Sequence, residues 1–282
     1  MIAVVDYQKG NLKSVERGLI AAGGEAFITA DASEIAKADA IVLPGVGAFA
    51  DAAATMCELG QMEAIRKRVR AGVPFLGICL GEHLMFEHGV EGAPEGNPAC
   101  GLGLLPGTVV AMPRCDAQGK TFKVPHVGWN TIEMPACNGG AAVPSCGEGG
   151  GNAVLSSGGA GGGAARSSAA KRGLFEHGAF PGSTPQPGGE LASPGSAPQA
   201  GSELAFACPL FDGIAPGEYF YFTHSYIAPT GSHTIAETTH GVRFTSAVQF
   251  GECAFGVQFH PEKSSDAGAR VLANFVAIAA RG

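Results

Sequence analysis

Residues 74–83 read Pro-Phe-Leu-Gly-Ile-Cys-Leu-Gly-Glu-His, an apolar run that ends in a cysteine set between two glycines. Phe75–Ile78 has the composition of a buried strand, and 80–88 reads as a helix. G-x-C-x-G at a strand-to-helix junction predicts a tight elbow, in which side chains at Gly77 and Gly81 would clash with the neighbouring backbone. Cys79 then sits at the start of a helix, where the aligned N–H dipoles favour thiolate over thiol. The same turn leaves the Leu80 N–H free for a developing oxyanion. Taken alone, Cys79 reads as an inert packing thiol, because free cysteines are among the most buried residues. The elbow context turns the reading toward a nucleophile.

Outward from this stretch the first third of the chain alternates short apolar strands with amphipathic helices. Strands are expected at Ile2–Asp6, Phe27–Ile28 and Ala40–Leu43, and helices at 11–22, 49–57 and 61–71. Gly23-Gly24 stops the first helix. Such alternation implies parallel strands with both sheet faces covered. After Gly103 the pattern turns to strands, at "TVVAM", "TFKV", "WNTIEM", "EYFYFTHSYI", "HTIAETT", "RFTSAVQF" and "AFGVQFH", before a last helix over 264–280. The fold class expected is α/β, a mixed, mainly parallel sheet flanked by helices. Residues 135–207 are Gly/Ser/Ala/Pro tracts almost without periodicity. They are expected to form a disordered insertion, because so little apolar surface cannot offset the entropy of ordering. Without it about 210 residues remain, a comfortable size for a single domain spanning the chain.

Composition narrows the function. A net charge of −7 with scattered Lys and Arg argues against nucleic acid as a partner. No stretch approaches the roughly 20 apolar residues of a membrane span. The eight cysteines form no C-x-x-C pair and no zinc-like spacing with histidine, so no metal is expected; no cofactor is expected either. "MIAVVDYQKGN" enters a strand-like run with no basic leader. The expectation is a soluble cytoplasmic protein with free thiols.

A thiolate nucleophile needs a base, and "FGVQFHPEKS" at 255–264 offers the strongest candidate. His260 ends a strand, and in an extended chain Glu262 faces the same side, where a carboxylate fixes the ring tautomer and stabilises imidazolium. His83, His88, His126 and His224 compete for the role, without a carboxylate at that spacing. A second oxyanion donor, the Val46 N–H, is expected from "LPGVGAF" at 43–49, whose glycines let a peptide plane turn over.

These segments in order resemble the class I (triad) glutamine amidotransferases, with their flavodoxin-like fold. The resemblance is strongest to the glutaminase subunits of imidazole glycerol phosphate synthase. It is carried by "VVDYQKGNLKSV" (4–15), "LPGVGAF", "PFLGICLG", "GLGLLPGTVV" (101–110), "KVPHVGWN" (123–130), "YFYFTHSY" (219–226) and "FGVQFHPEKS". The resemblance implies L-glutamine as substrate, Cys79 as nucleophile, and His260 held by Glu262 as proton carrier. It implies substrate contacts at Gly47, His83, Glu91, Ser225 and Tyr226. It implies, too, a heterodimer with a (β/α)8-barrel cyclase subunit, docked through Tyr7, Asn11, Trp129 and Lys263. The cyclase uses the channelled ammonia to make imidazole glycerol phosphate and an aminoimidazole carboxamide ribotide. The family usually has Met-Gln after C-L-G, where this chain has Glu82-His83; Glu82 is expected to point outward, and His83 to donate a hydrogen bond to substrate. A different class I glutaminase, or a binding partner that has lost glutamine use, are the alternatives.

Overall fold

The protein is described here by a computed structural model covering residues 1–135 and 208–281. The expected insertion therefore lies, apart from Pro135, outside the described residues.

Chain order runs β1 (Ile2–Val5), α1 (Leu12–Ala21), β2 (Ala26–Thr29), α2 (Ala32–Ile35), β3 (Ala40–Gly45), α3 (Phe49–Glu58), α4 (Gln61–Arg70), β4 (Phe75–Cys79) and α5 (Leu80–His83). Then come β5 (Phe86–Gly89), β6 (Ala99–Cys100), β7 (Leu105–Ala111) and β8 (His126–Thr131). Beyond the undescribed segment follow β9 (Tyr219–His224), β10 (Tyr226–Ile227), β11 (Thr234–His240), β12 (Val242–Phe250), β13 (Ala254–Val257) and α6 (Ser265–Ala279). α1 ends as its sequence dictates. Gly23 takes φ +88, its N–H bonds the Ile20 carbonyl and the Gly24 N–H bonds that of Leu19, a Schellman closure.

The main sheet has seven strands in the order β11-β12-β13-β4-β3-β1-β2, parallel from β13 to β2 and antiparallel from β13 to β11. Alternate residues of its parallel strands serve two cores. Val4, Val42, Leu76 and Ile78 pack with Val15 and Leu19 of α1 and Leu272 and Phe275 of α6. Val5, Ile41, Leu43 and Phe75 pack with Phe49 and Met56 of α3 and Ile65 of α4. A second sheet, β10-β7-β5-β6, and a two-stranded ribbon, β8-β9, flank the carboxyl ends of β3 and β4.

Two expectations need correcting. The helix after the elbow stops at His83 rather than His88, and the chain turns into β5. Gly89 explains the turn, since a Cβ there would collide with the Phe49 ring of α3, so β5 lies flat on that ring. "TFKV" forms no strand beyond a single bridge from Thr121 to Cys115.

The elbow itself is sterically enforced. A Cβ on Gly77 would lie 2.5 Å from the Gly81 carbonyl oxygen, and one on Gly81 would strike the Leu43 carbonyl oxygen of β3. We expect Gly81→Ala to destabilise the protein by about 3 kcal/mol or more, read from the midpoint of urea unfolding, because backbone fills the site and cannot yield as a side chain would.

Candidate active site

β3, β4 and β13 are neighbours, so their carboxyl ends deliver three functional segments to one place. Cys79 closes β4 with φ 54 and ψ −107, a strained conformation for a residue with a side chain. Its sulfur meets the Thr223 carbonyl at 3.9 Å and the Gln258 carboxamide nitrogen at 3.7 Å.

Beyond β13 the chain brings in His260, whose Nδ1 lies 3.0 Å from Glu262 Oε1, with the two side chains 3% and 2% exposed. Burial lowers the pKa of this imidazole, but the nearby Cys79 sulfur and the Glu262 carboxylate outweigh it and raise the value to about 9. His260 Nε2 approaches the sulfur without an aligned hydrogen bond. Three bonds fix the backbone here. The His260 N–H donates to the Tyr221 carbonyl, the Ser264 hydroxyl donates to the His260 carbonyl, and the Tyr221 N–H donates to Ser264 Oγ.

A cleft of about 460 Å³ opens over the sulfur. It is lined by Val46, Gly47, Leu80, His83, Glu91, Ser225 and Tyr226, residues that lie in four separate stretches of the sequence. Ala48, Pro125, Thr223 and His224 complete the wall. Burial raises the Glu91 carboxyl, with the Phe49 amide opposing and Asp51 assisting. Of the competing histidines, His224 and His126 are coupled to each other, Nε2 to Nδ1, at 3.0 Å. Chiefly through burial their pKa values fall to about 3 and about 4, so both are neutral.

The candidate docking residues divide. Trp129 is 51% exposed on the outer face of the β8-β9 ribbon, beside exposed Val127 and Tyr219. Lys263 Nζ stands 5.9 Å from the Tyr221 ring of the same face, and Asn11 is exposed at the start of α1. Tyr7 does not belong with them. It is fully buried, its hydroxyl wedged against Gly45 and approached by the Val46 N–H, so it has no surface to offer a partner. Burial first and the Cys79 sulfur second push its phenol above the usual range.

The sequence model of the family "Glutamine amidotransferase class-I" matches residues 3–136 and 188–279. The chain belongs to that family. Curated relatives of this amidotransferase include imidazole glycerol phosphate synthase subunit HisH of Moorella thermoacetica, 35% identical over 97% of this chain and 93% of that one. HisH of Aromatoleum aromaticum is 33% identical over 99% and 98%. Among solved structures, a glutamine amidotransferase matches with a TM-score of 0.56 at 16% identity, over 99% of this chain and 100% of the other. A chain of PurLQS from Thermotoga maritima gives 0.54 at 14%, over 98% and 97%. At those identities the structures speak for the fold alone.

Where this amidotransferase carries Glu82-His83, both side chains turn inward, contrary to the expectation for Glu82. Glu82 is fully buried, its Cγ lying 2.7 Å from where a Cβ on Gly256 would stand, and neither carboxylate oxygen has a hydrogen-bond partner. Burial raises its pKa well above the ordinary 4.5, which favours the uncharged carboxyl beneath the elbow. The donor of neutral His83 is engaged by Gln258, 2.7 Å away, rather than held ready for substrate. Gln258, Thr223 and Ser264 escaped the sequence reading. Gln258 was within reach of it, because it shares an extended segment with His260 two residues on.

A raised carboxyl pKa has a definite sign in stability. Below about 4.5 Glu82 is protonated in both folded and unfolded chains; above that the unfolded chain ionises first, and stability declines until the folded pKa is passed. Glu82→Met should therefore flatten part of the stability-versus-pH curve above that value. At about pH 8 it should gain about 1–3 kcal/mol, measured by urea unfolding across pH.

Proposed function

We propose that this chain is the glutaminase subunit of an imidazole glycerol phosphate synthase, acting as a single cytoplasmic domain in a heterodimer with a barrel-shaped cyclase. The observation that carries the reading is the meeting of a strained thiol with a buried imidazole–carboxylate pair, under a cleft walled by the expected substrate contacts. Near-full-length likeness to HisH subunits supports the choice of synthase.

The Cys79 sulfur attacks the carboxamide carbon of L-glutamine, and the oxyanion is received by the Leu80 and Val46 amides. Imidazolium at His260, stabilised by Glu262, gives its proton to the leaving ammonia. The resulting γ-glutamyl thioester is then cleaved by water that His260 deprotonates, releasing glutamate and restoring the thiol. Ammonia must stay unprotonated to act as a nucleophile, which favours a dry passage into the cyclase. There it is used to form imidazole glycerol phosphate and the aminoimidazole carboxamide ribotide of histidine biosynthesis. The approach of the Val46 N–H to the Tyr7 hydroxyl supports a resting state in which the second oxyanion donor is not yet turned to substrate. Gly47, with φ +102 and only the flexible Lys9 side chain near the place of a Cβ, supplies the freedom for that turn.

Docking falls to the outer face of the β8-β9 ribbon, with Trp129, Lys263 and Asn11. A broad ring with half its surface open and, among the described residues, no ring contact beyond the edge contact to Tyr221 suits an interface anchor.

The deciding assay is glutamine hydrolysis by the purified chain, with and without the cyclase and its ribotide ligand. Turnover should depend on the cyclase and fall by about 10³-fold or more in Cys79→Ala. Hydrolysis indifferent to the cyclase would point to another synthase, and no hydrolysis under any condition to a catalytically silent partner. Trp129→Ala should weaken association with the cyclase by about tenfold or more in a titration, with unfolding unchanged.

A further inference from the structure

Gln258 touches the Cys79 sulfur yet has no task in the reaction described above. It is fully buried one residue beyond β13, and its own N–H is bonded to the Ser246 carbonyl at 3.0 Å. Its side chain spans two groups, with Nε2 3.7 Å from Cys79 Sγ and Oε1 2.7 Å from His83 Nε2.

A carboxamide has a donor end and an acceptor end, and which one meets the sulfur depends on what holds the other. In the orientation seen here Oε1 faces His83 Nε2 and can only accept, an arrangement that goes with the proton on Nε2. Burial holds the His83 pKa down to about 4, against the pull of Gln258, and the ring is neutral with that proton on Nε2. With Oε1 claimed, the Nε2 hydrogens point at the sulfur. A reversed carboxamide would set its carbonyl oxygen against the sulfur and repel a thiolate.

The sulfur's neighbours differ in what they reward. The Thr223 carbonyl accepts, and so suits the S–H form. Once the proton has passed to His260, that carbonyl has nothing to accept, whereas an N–H donor meets the anion with a charge-assisted bond. The sulfur carries the anion twice in each cycle, before it attacks the carboxamide carbon and again when the C–S bond of the thioester breaks as water's oxygen adds.

We infer that Gln258 is a further catalytic residue, donating from its carboxamide to the anionic Cys79 sulfur, and that His83 is a positioning residue that fixes the direction of that carboxamide. The inference rests on Cys79 being the nucleophile. It gives the histidine of this chain a role toward the sulfur rather than toward glutamine.

The test follows alkylation of Cys79 by iodoacetamide, read on the Cys79 peptide by mass spectrometry because other thiols are exposed. Gln258→Met, of similar volume, should slow alkylation at about pH 6.5 by about tenfold and much less at about pH 9, where the anion no longer depends on the donor. In the complex with the cyclase, kcat for glutamine should fall by a like factor while KM stays within about twofold. His83→Phe should reproduce the loss in weaker form, and His83→Gln, whose amide can donate to Gln258 Oε1, should restore most of it. If Gln258→Met does not fold, the two His83 variants decide by themselves. Alkylation unchanged in Gln258→Met and His83→Phe, or an effect on KM alone, would overturn the inference. Failure of the nucleophile reading looks different, as turnover surviving in Cys79→Ala whatever the alkylation rates.

Discussion

Everything about this site depends on the absence of room at Gly81. The Leu43 carbonyl oxygen of β3 occupies the place a side chain would need, and the Gly81 carbonyl in turn occupies the place of a Cβ on Gly77. α5 is thereby pressed onto β3 and β4 with backbone against backbone. The residue between the glycines cannot relax into strand or helix geometry and is held at φ 54, ψ −107. Such a conformation costs about 1–3 kcal/mol. The fully buried side chains of Leu76, Phe75, Leu43 and Phe255 on these adjoining strands over-determine it. What the strain achieves is direction, since Cys79 leaves the sheet at the margin of the α1–α6 core with its sulfur toward Thr223, Gln258 and His260.

The same crowding shapes the electrostatics. Among the described residues, five of the buried polar atoms that lack a hydrogen bond gather around the elbow: Tyr7 Oη, both oxygens of Glu82, His260 Nε2 and Glu262 Oε2. A fold optimised for stability alone would satisfy or remove them, because each costs about 1–3 kcal/mol. His260 Nε2 is a proton carrier in waiting, and an unbonded nitrogen is what that role requires. Glu82 has no such excuse: it is buried in the core behind the nucleophile, and nothing in the structure explains why a carboxyl stands there.

Much of this was legible in the chain and some was not, for reasons that differ by residue. The parallel sheet could be read because strands buried on both faces are continuous apolar runs, and Ile2–Val5, Ala40–Leu43 and Phe75–Ile78 are such runs. The elbow could be read because steric exclusion leaves glycine as its trace. The end of α5 could not, because "LMFEHG" suits helix and strand equally, and the choice fell to the Phe49 ring against Gly89, forty residues apart. The inward turn of Glu82 ran against the rule that carboxylates face water, which tertiary packing on Gly256 overrode. Tyr7 sits in a motif near docking residues in sequence, but just past β1 its ring turns inside, with the hydroxyl against Gly45 of β3. Gln258 was hidden by its company, since the eye goes to the histidine two residues on.

The ribbon β8-β9 joins the surface to the chemistry through its backbone. Its outer face presents Trp129, Tyr219 and Tyr221, while its inner face buries His126, Phe220, Phe222 and His224. On β9, the Tyr221 carbonyl receives the His260 N–H, the Tyr221 N–H reaches the His260 carbonyl through Ser264 Oγ, and the Thr223 carbonyl meets the Cys79 sulfur. One strand therefore touches the nucleophile and the base at successive outward-facing residues, and runs straight on to Ser225 and Tyr226 in the cleft wall. A small rotation of β9 changes the sulfur's acceptor and the base's anchor together, because peptide planes in a paired strand do not turn one at a time. A partner seated on the outer face thus has mechanical access to both reacting groups without entering the cleft. That access needs no relay of side chains, so on the proposed docking the ribbon is the shortest covalent route from the partner to the chemistry.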